Sequence, residues 1–239
     1  MGMPVTIDIA DISATGEALQ KVFSYFEYVD QKFSTYKTAS EISRINRGEL
    51  APVDYSDDMK EVFRLAEETK QLTREYFNIK KPDGSYDPSG LVKGWAIYRA
   101  AELIKGLGFK EYYVDAGGDI EARGKVWKIG IKNPFQQKEI VKVLYIQDRG
   151  VATSGTYIRG DHIYDPTNSG TNMDEIASLT IIGPNVYEAD RFATAAFAMG
   201  QAGIYFVENL EGFEGYMIDQ HGQATMTTGF EAFTKEVLQ

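Results

Sequence analysis

Asp190 and Thr194 stand four residues apart in Glu188-Ala189-Asp190-Arg191-Phe192-Ala193-Thr194. The segment reads as helix, so a carboxylate and a hydroxyl project from one helical face. Both are hard oxygen donors. Mg²⁺ takes only one or two protein carboxylates and fills its shell with water, carbonyl and phosphate oxygens, so the pair points toward phosphate chemistry. The plainer reading of the same spacing is a solvated or back-bonded helix face. The surrounding motifs weigh between the two.

Four glycine-bearing or polar turns supply candidate phosphate contacts: Asp87-Pro88-Ser89-Gly90-Leu91-Val92-Lys93-Gly94, Gly117-Gly118-Asp119, Thr153-Ser154-Gly155 and His162-Ile163-Tyr164-Asp165-Pro166. Glycine permits close backbone approach and positive φ, so N–H groups can converge on anionic oxygens, and Lys93 at a helix start adds a full positive charge. None of the four is a P-loop, and the glycine spacing of a dinucleotide-binding Rossmann turn is absent. For Lys93 the ordinary alternative is a solvated charge, and for Asp119 and Asp165 a turn cap. His162 lies in a polar loop, where an exposed bystander is the default, and His221 is assigned to that default. Tyr36, Tyr76 and Phe77 suit stacking on a planar ligand as well as the commoner core packing.

The chain has 239 residues, 43% of them hydrophobic and 13% aromatic, enough to bury a full core. A net charge of −10 argues against non-specific binding to nucleic acid or to an anionic membrane surface. An anionic ligand therefore needs local help from a cation, backbone N–H groups or placed lysines. Without cysteine there are no disulfides, thiolate metal sites or cysteine nucleophiles. No apolar run is long enough to span a membrane and no signal sequence precedes Val5, so the chain as written is expected to be cytoplasmic, or extracytoplasmic if an exported segment was trimmed.

Positioning these groups requires a mixed scaffold. Alternation predicts strands over Val5–Ile12, Tyr112–Ala116, Ile120–Arg123, Val126–Lys132, Ile140–Gln147, Val151–Ala152 and Ser178–Ile182, with a closing hairpin of Tyr216–Asp219 and Ala224–Thr228. Helical spacing predicts Ala14–Phe33 with Leu19, Val22, Phe23, Phe26 and Val29 apolar, and a short helix opened by Ser40 and Glu41. It also predicts Ser56–Thr73 capped by Ser56, Val92–Leu107 stopped by Gly108, and the Asp190 helix ended by Gly200. Arg74 to Pro88 breaks the order. No linker or repeat divides the chain, so the expectation is one α+β unit over residues 1–239, a largely antiparallel sheet with flanking helices.

In sequence order these pieces resemble the ApbE family of FAD:protein FMN transferases. Met1-Gly2-Met3, Phe33-Ser34-Thr35-Tyr36 with Ser40-Glu41-Ile42-Ser43-Arg44-Ile45-Asn46, the Asp87 to Gly94 loop, Gly117-Gly118-Asp119, Thr153-Ser154-Gly155, His162 to Pro166 and Ala189 to Ala195 carry the resemblance. It implies that Asp190, Thr194 and the Gly90 carbonyl hold Mg²⁺ beside the FAD pyrophosphate. Met1, Tyr36, the Tyr76-Phe77-Asn78 turn, Asp87, Lys93 and Ile163 then line the dinucleotide site, with Gly117, Gly118, Asp119, Thr153 and Ser154 as further cofactor-binding candidates. His162 falls at the family's catalytic histidine, and Asp165 either orients it or helps bind the acceptor peptide. The implied reaction moves FMN from FAD onto a threonine or serine hydroxyl of an acceptor flavoprotein and releases AMP. A base beside the incoming hydroxyl and a cation on the diphosphate are what that chemistry requires.

The family's Thr-Gly-Gly-Ala-Phe-Asp turn stands here as Thr73-Arg74-Glu75-Tyr76-Phe77-Asn78, with bulky residues for small ones and an amide for the aspartate. Two alternatives to transfer share the same FAD contacts. One is an FAD pyrophosphatase in which water replaces the acceptor hydroxyl. The other is an FAD-binding or storage module without turnover.

Overall fold

The structure is a computed structural model that describes residues 2–136, 138–155 and 175–236. A seven-stranded sheet of order β1-β2-β3-β6-β7-β8-β9 forms its centre. The strands are β1 (Val5–Ile9), β2 (Tyr112–Ala116), β3 (Asp119–Arg123), β6 (Arg149–Gly155), β7 (Ile176–Gly183), β8 (Glu214–Asp219) and β9 (Ala224–Met226). Every pairing within it is antiparallel. The remaining strands, β4 (Trp127–Lys132) and β5 (Ile140–Ile146), form a separate two-stranded antiparallel ribbon.

Along the central strands, period-two alternation sends successive residues to two different cores. On one face, Tyr112, Val114 and Ala116 pack with helices α1 (Gly16–Phe33), α2 (Glu41–Asn46), α3 (Asp57–Leu72) and α4 (Ser89–Gly106). Further along that face, Ala152, Leu179 and Ile181 meet α5 (Val186–Ala198) and α6 (Gly203–Glu208). On the other face, Ala122, Val151, Ile182 and Tyr216 pack under the ribbon residues Ile129, Ile131, Leu144 and Ile146. Strand β7 is buried along its whole length.

Local signals set most helix starts. Thr15, Ser40, Ser56 and Asn185 each accept a hydrogen bond from a first-turn N–H through the side chain, as N-caps do. The α1 stripe that packs inward is Ala18, Val22, Phe26, Val29 and Phe33, while the expected Phe23 is exposed. In α3 the expected Phe63 is only partly buried, with its ring against Tyr55 and Tyr86.

Strand β1 stops at Ile9, short of the expected Ile12, β7 runs beyond Ser178–Ile182 at both ends, and two further boundaries bear on the site. Helix α4 begins at Ser89, three residues earlier than Val92, so Gly90 lies in its first turn. Strand β6 runs to Gly155, which places Thr153-Ser154-Gly155 in mid-sheet instead of a turn, because the β7 partners Thr180, Leu179 and Ser178 extend the ladder beside them. The short helix α6 was not expected. Among the described residues no helix is long and apolar enough to cross a membrane.

Candidate active site at the α4 and α5 seam

Helices α4 and α5 approach so closely that side chains are excluded from one of them. A Cβ placed on Gly94 meets Asp190 Cβ at 2.6 Å and the Val186 carbonyl oxygen at 2.8 Å, and one on Gly90 meets Thr194 Cγ2 at 3.1 Å. The glycine pair on α4 thus matches the Asp190 and Thr194 pair on α5, both at one-turn spacing. Backbone groups bared by glycine bond across the seam. The Gly94 N–H donates to Asp190 Oδ2 at 2.8 Å, and Thr194 Oγ1 donates to the Gly90 carbonyl at 3.2 Å.

A buried charge cluster adjoins the seam. Lys93 pairs with Asp119 Oδ2 and lies 3.5 Å from Asp190 Oδ1. All three side chains are almost wholly buried, which removes the solvated reading of Lys93 and the turn-cap reading of Asp119. Asp119 reaches this position because Gly117 and Gly118, at φ 65° and 95°, form the tight turn between β2 and β3. Two successive positive φ values are what a two-residue hairpin of this type demands. The turn is tied down by Gly118 N–H to Asp115 Oδ1 at 2.8 Å, and Asp119 Oδ1 accepts the Thr153 N–H at 3.0 Å. Burial raises the Asp115 carboxyl above its ordinary value.

Beside the seam lies a cavity of about 950 Å³, near the upper end of the range for small-molecule sites. Its wall includes Tyr36, Asp87, Lys93, Gly117, Gly118 and Thr153 from the expected set. Tyr36 stands largely in solvent at this wall, and Asp87 Oδ1 accepts the Ser89 N–H at 3.0 Å, closing the turn that starts α4. Four expected residues sit elsewhere. Phe77 is buried in the helical core, 3.4 Å from the position a Gly90 Cβ would take. Asn78 turns its side-chain oxygen to the Lys80 N–H, and Ser154 is buried on the helix side of β6. Tyr76 packs partly buried against the helical core. Met1, His162, Ile163 and Asp165 lie outside the described residues.

Sequence reasoning passed over three contributors. Gly94 is one: its spacing from Gly90 repeats that of Asp190 and Thr194, and this match of two segments is the signal that finds it. Thr180 lines the cavity and shares a hydroxyl hydrogen bond with Thr153 at 2.9 Å, a cross-strand pairing that no local signal reveals. The ribbon brings Trp127, Lys128 and Lys132 to the wall, which only tertiary docking shows.

The donor set at the seam fits a small divalent cation. Two cis ligands at the ~2.0–2.1 Å radius of Mg²⁺ sit roughly 3 Å apart. The Thr194 hydroxyl and the Gly90 carbonyl are separated by a similar 3.2 Å. Asp190 turns Oδ2 to the Gly94 N–H and Oδ1 toward Lys93, and a carboxylate carries about four lone-pair sites over its two oxygens. Asp119, Lys93 and Asp190 together carry one net negative charge, which favours a cation without gathering excess acid. Among the described residues no three His, Asp or Glu side chains cluster around one point, so hydroxyl and carbonyl oxygens carry this donor set.

Comparison with known proteins agrees with this architecture. The model of the ApbE family matches residues 1–81 and 79–217. The FAD:protein FMN transferase of Haemophilus influenzae is 23% identical, over 96% of this chain and 86% of that protein. The FAD:protein FMN transferase of Escherichia coli K12 is 29% identical, over 66% of this chain and 49% of that protein, so the match spans about half of the longer relative. Among solved structures, the flavin transferase ApbE from Vibrio cholerae superposes with a TM-score of 0.83 at 23% identity, covering 98% of this chain and 96% of that one. The ApbE protein from Thermotoga maritima gives 0.87 at 21% identity, covering 98% and 97%. With a family model spanning most of its length, this chain belongs to the ApbE family.

Proposed function

We propose that the protein is an Mg²⁺-dependent FAD:protein FMN transferase, moving FMN from FAD to a threonine or serine hydroxyl of an acceptor flavoprotein and releasing AMP. The observation that carries this reading is the seam itself: Gly90 and Gly94 of α4 expose backbone groups to Thr194 and Asp190 of α5 at the side of a cavity sized for a dinucleotide. The names of the relatives support the same activity.

In this reading the Gly90 carbonyl, Asp190 and Thr194 hold the cation. When bound, it neutralises charge on the transferred phosphoryl group and on the AMP leaving group. Asp119 fixes Lys93, and Lys93 in turn holds Asp190, so the carboxylate stays oriented between ammonium and Gly94 N–H. The N-terminal end of α4 presents partial positive charge to a diphosphate. Tyr36 offers a ring for stacking. His162 takes the proton of the acceptor hydroxyl as its oxygen bonds to the FMN phosphorus and the bond from that phosphorus to AMP breaks. Asp165 orients His162 or contacts the acceptor.

The test is incubation with FAD, Mg²⁺ and a flavoprotein bearing a Thr or Ser acceptor, read by mass for an FMN adduct and by chromatography for AMP. Adduct and AMP in equal amounts are expected. FMN with AMP but no adduct indicates hydrolysis, and intact FAD indicates storage; either outcome defeats the proposal. Asp190→Ala is expected to lower the rate by roughly 10²-fold or more, as when a metal ligand or general base is lost, with the fold retained by circular dichroism.

A further inference from the structure

Glu121 is fully buried in mid-sheet, on β3, and the reaction described above does not use it. Its side chain points to the helix face, two residues from Asp119 along the same side of the strand. Oε2 accepts the N–H of Val186, the first residue of α5, at 2.5 Å. The other oxygen pairs with Arg123, one strand period further on. Directly opposite Glu121 in the β3 and β6 ladder is Gly150, and a Cβ there would lie 1.9 Å from Val186 N and 2.1 Å from the Asn185 carbonyl carbon. The start of α5 therefore rests in a seat made from one cross-strand pair: a glycine that lets the backbone down onto the sheet and a carboxylate that holds its first N–H.

That seat is one helical turn from Asp190. The Val186 carbonyl is also one of the atoms that crowd Gly94, so Val186 is gripped by the sheet below and by α4 beside it. Rotation or lifting of this turn moves Asp190 off the Gly94 N–H. Asn185 caps the helix through Glu188 N–H, and this bond orients the chain entering α5 without tying it to the sheet.

We propose that Glu121 is a positioning residue: its carboxylate, braced by Arg123, clamps the first turn of α5 to the sheet and thereby sets the Asp190 and Thr194 oxygens against Gly90 and Gly94 for cation binding. The proposal deepens the functional reading above and rests on it for the identity of the ligand. A negative charge at a helix N-terminus is favourable through the unsatisfied N–H groups there, and burial makes the contact a strong one. The charged and titratable groups around Glu121 are Arg123 on its own strand, Glu102 and Tyr98 on α4, and Tyr112 on β2. Burial pushes the Glu121 carboxyl up to about 7, so a buried acid is retained here at the expense of its own solvation.

The experiment uses the full chain and Mn²⁺ alone as probe, with free Mn²⁺ followed by electron paramagnetic resonance. Glu121→Met fills the space but offers Val186 no oxygen; Glu121→Gln keeps an acceptor. Arg123→Met removes the brace while leaving both the Glu121 side chain and the Val186 N–H in place. Expected is a Kd for Mn²⁺ raised about 10-fold or more in Glu121→Met and about 5-fold or more in Arg123→Met, in the range seen when supporting partners of metal ligands are removed, with Glu121→Gln within about 3-fold of the parent. If Glu121→Met fails to fold, Arg123→Met, at a partly exposed side chain, decides the matter alone. A merely structural role lowers thermal stability but leaves the Kd of the folded protein unchanged, and that result overturns the proposal. Should the parent itself bind no Mn²⁺, the cation reading of the site fails separately, and the clamp is judged by hydrogen exchange. Faster exchange confined to the Val186 to Asp190 amides in the variants supports it; unchanged or uniformly altered exchange overturns it.

Discussion

The seam between α4 and α5 and the turn after α3 both place tight backbone where the family pattern has glycine, yet they treat side chains differently. At the seam the glycines are present, and any Cβ on Gly94 runs into Asp190 and the Val186 carbonyl. In the Thr73 to Asn78 turn the pattern's two glycines are replaced by Arg74 and Glu75, which take φ of 51° and 71°. Both are exposed, and their N–H groups still find carbonyls, Arg74 to Gln71 at 3.2 Å and Glu75 to Lys70 at 2.8 Å. The turn therefore tolerates left-handed strain of ~1–2 kcal/mol per residue because nothing collides with the side chains. Collision between buried atoms has no such outlet, since packed interiors relax only partly. Strain is negotiable at a surface turn; lack of space between two helices is not.

This contrast can be broken or sharpened in order of expected effect. Replacing Lys93 with Met removes the ammonium that both Asp119 and Asp190 face and leaves buried carboxylates uncompensated, with an expected loss of ~3–5 kcal/mol in urea unfolding. A loss below about 1 kcal/mol would mean the cluster is wetter than its burial indicates.

Glu121 supplies a pH-dependent counterpart. Its folded carboxyl sits at about 7 against an ordinary 4.5, so between those values the folded state holds a proton that the unfolded chain has released. Stability from this group is therefore undiminished below about pH 4.5, falls as pH rises toward 7 and stays low above it. Glu121→Gln should flatten that slope, gaining on the parent by ~3 kcal/mol between pH 4.5 and 8, by the linkage of ~1.4 kcal/mol per pK unit. Parallel stability curves for the two proteins would place the titration elsewhere.

Gly94→Ala tests the lack of space directly. A methyl group there should cost ~1–3 kcal/mol by overpacking and weaken cation binding together with stability. Unaltered values on both measures would show that α4 and α5 can separate freely. At the turn, the sign reverses: Glu75→Gly should raise stability by ~0.5–1 kcal/mol, the relief of left-handed strain less the entropy that glycine adds to the unfolded chain. A destabilised Gly variant would show that the 3.7 Å pair of Glu75 with Lys70, or the stiffness of the side chain, outweighs the strain.

Much of this molecule is written in short stretches of its sequence. Cap residues Ser40 and Ser56 start their helices where the side-chain chemistry says they must, because an N-cap satisfies N–H groups within three residues of itself. The alternation of Tyr112 to Ala116 and Ile120 to Arg123 gives strands, and Gly117-Gly118 gives the turn between them, for equally local reasons. The i and i+4 spacing of Asp190 and Thr194 was likewise legible as one helical face.

Tertiary structure decided what that face meets. The length of β6 depended on partners in β7 that are distant in sequence, and the separation of β4 and β5 from the main sheet depended on which apolar faces found each other. Phe77 and Tyr36 are both aromatic residues in polar turns, yet one is core and the other stands at a cavity wall. The burial of Lys93 between Asp119 and Asp190, and of Glu121 under α5, follows from packing three elements far apart in the chain. Spacing within one segment is fixed by backbone geometry, so a sequence displays it; the meeting of two segments is fixed by the summed burial of many side chains, and no single motif contains that sum.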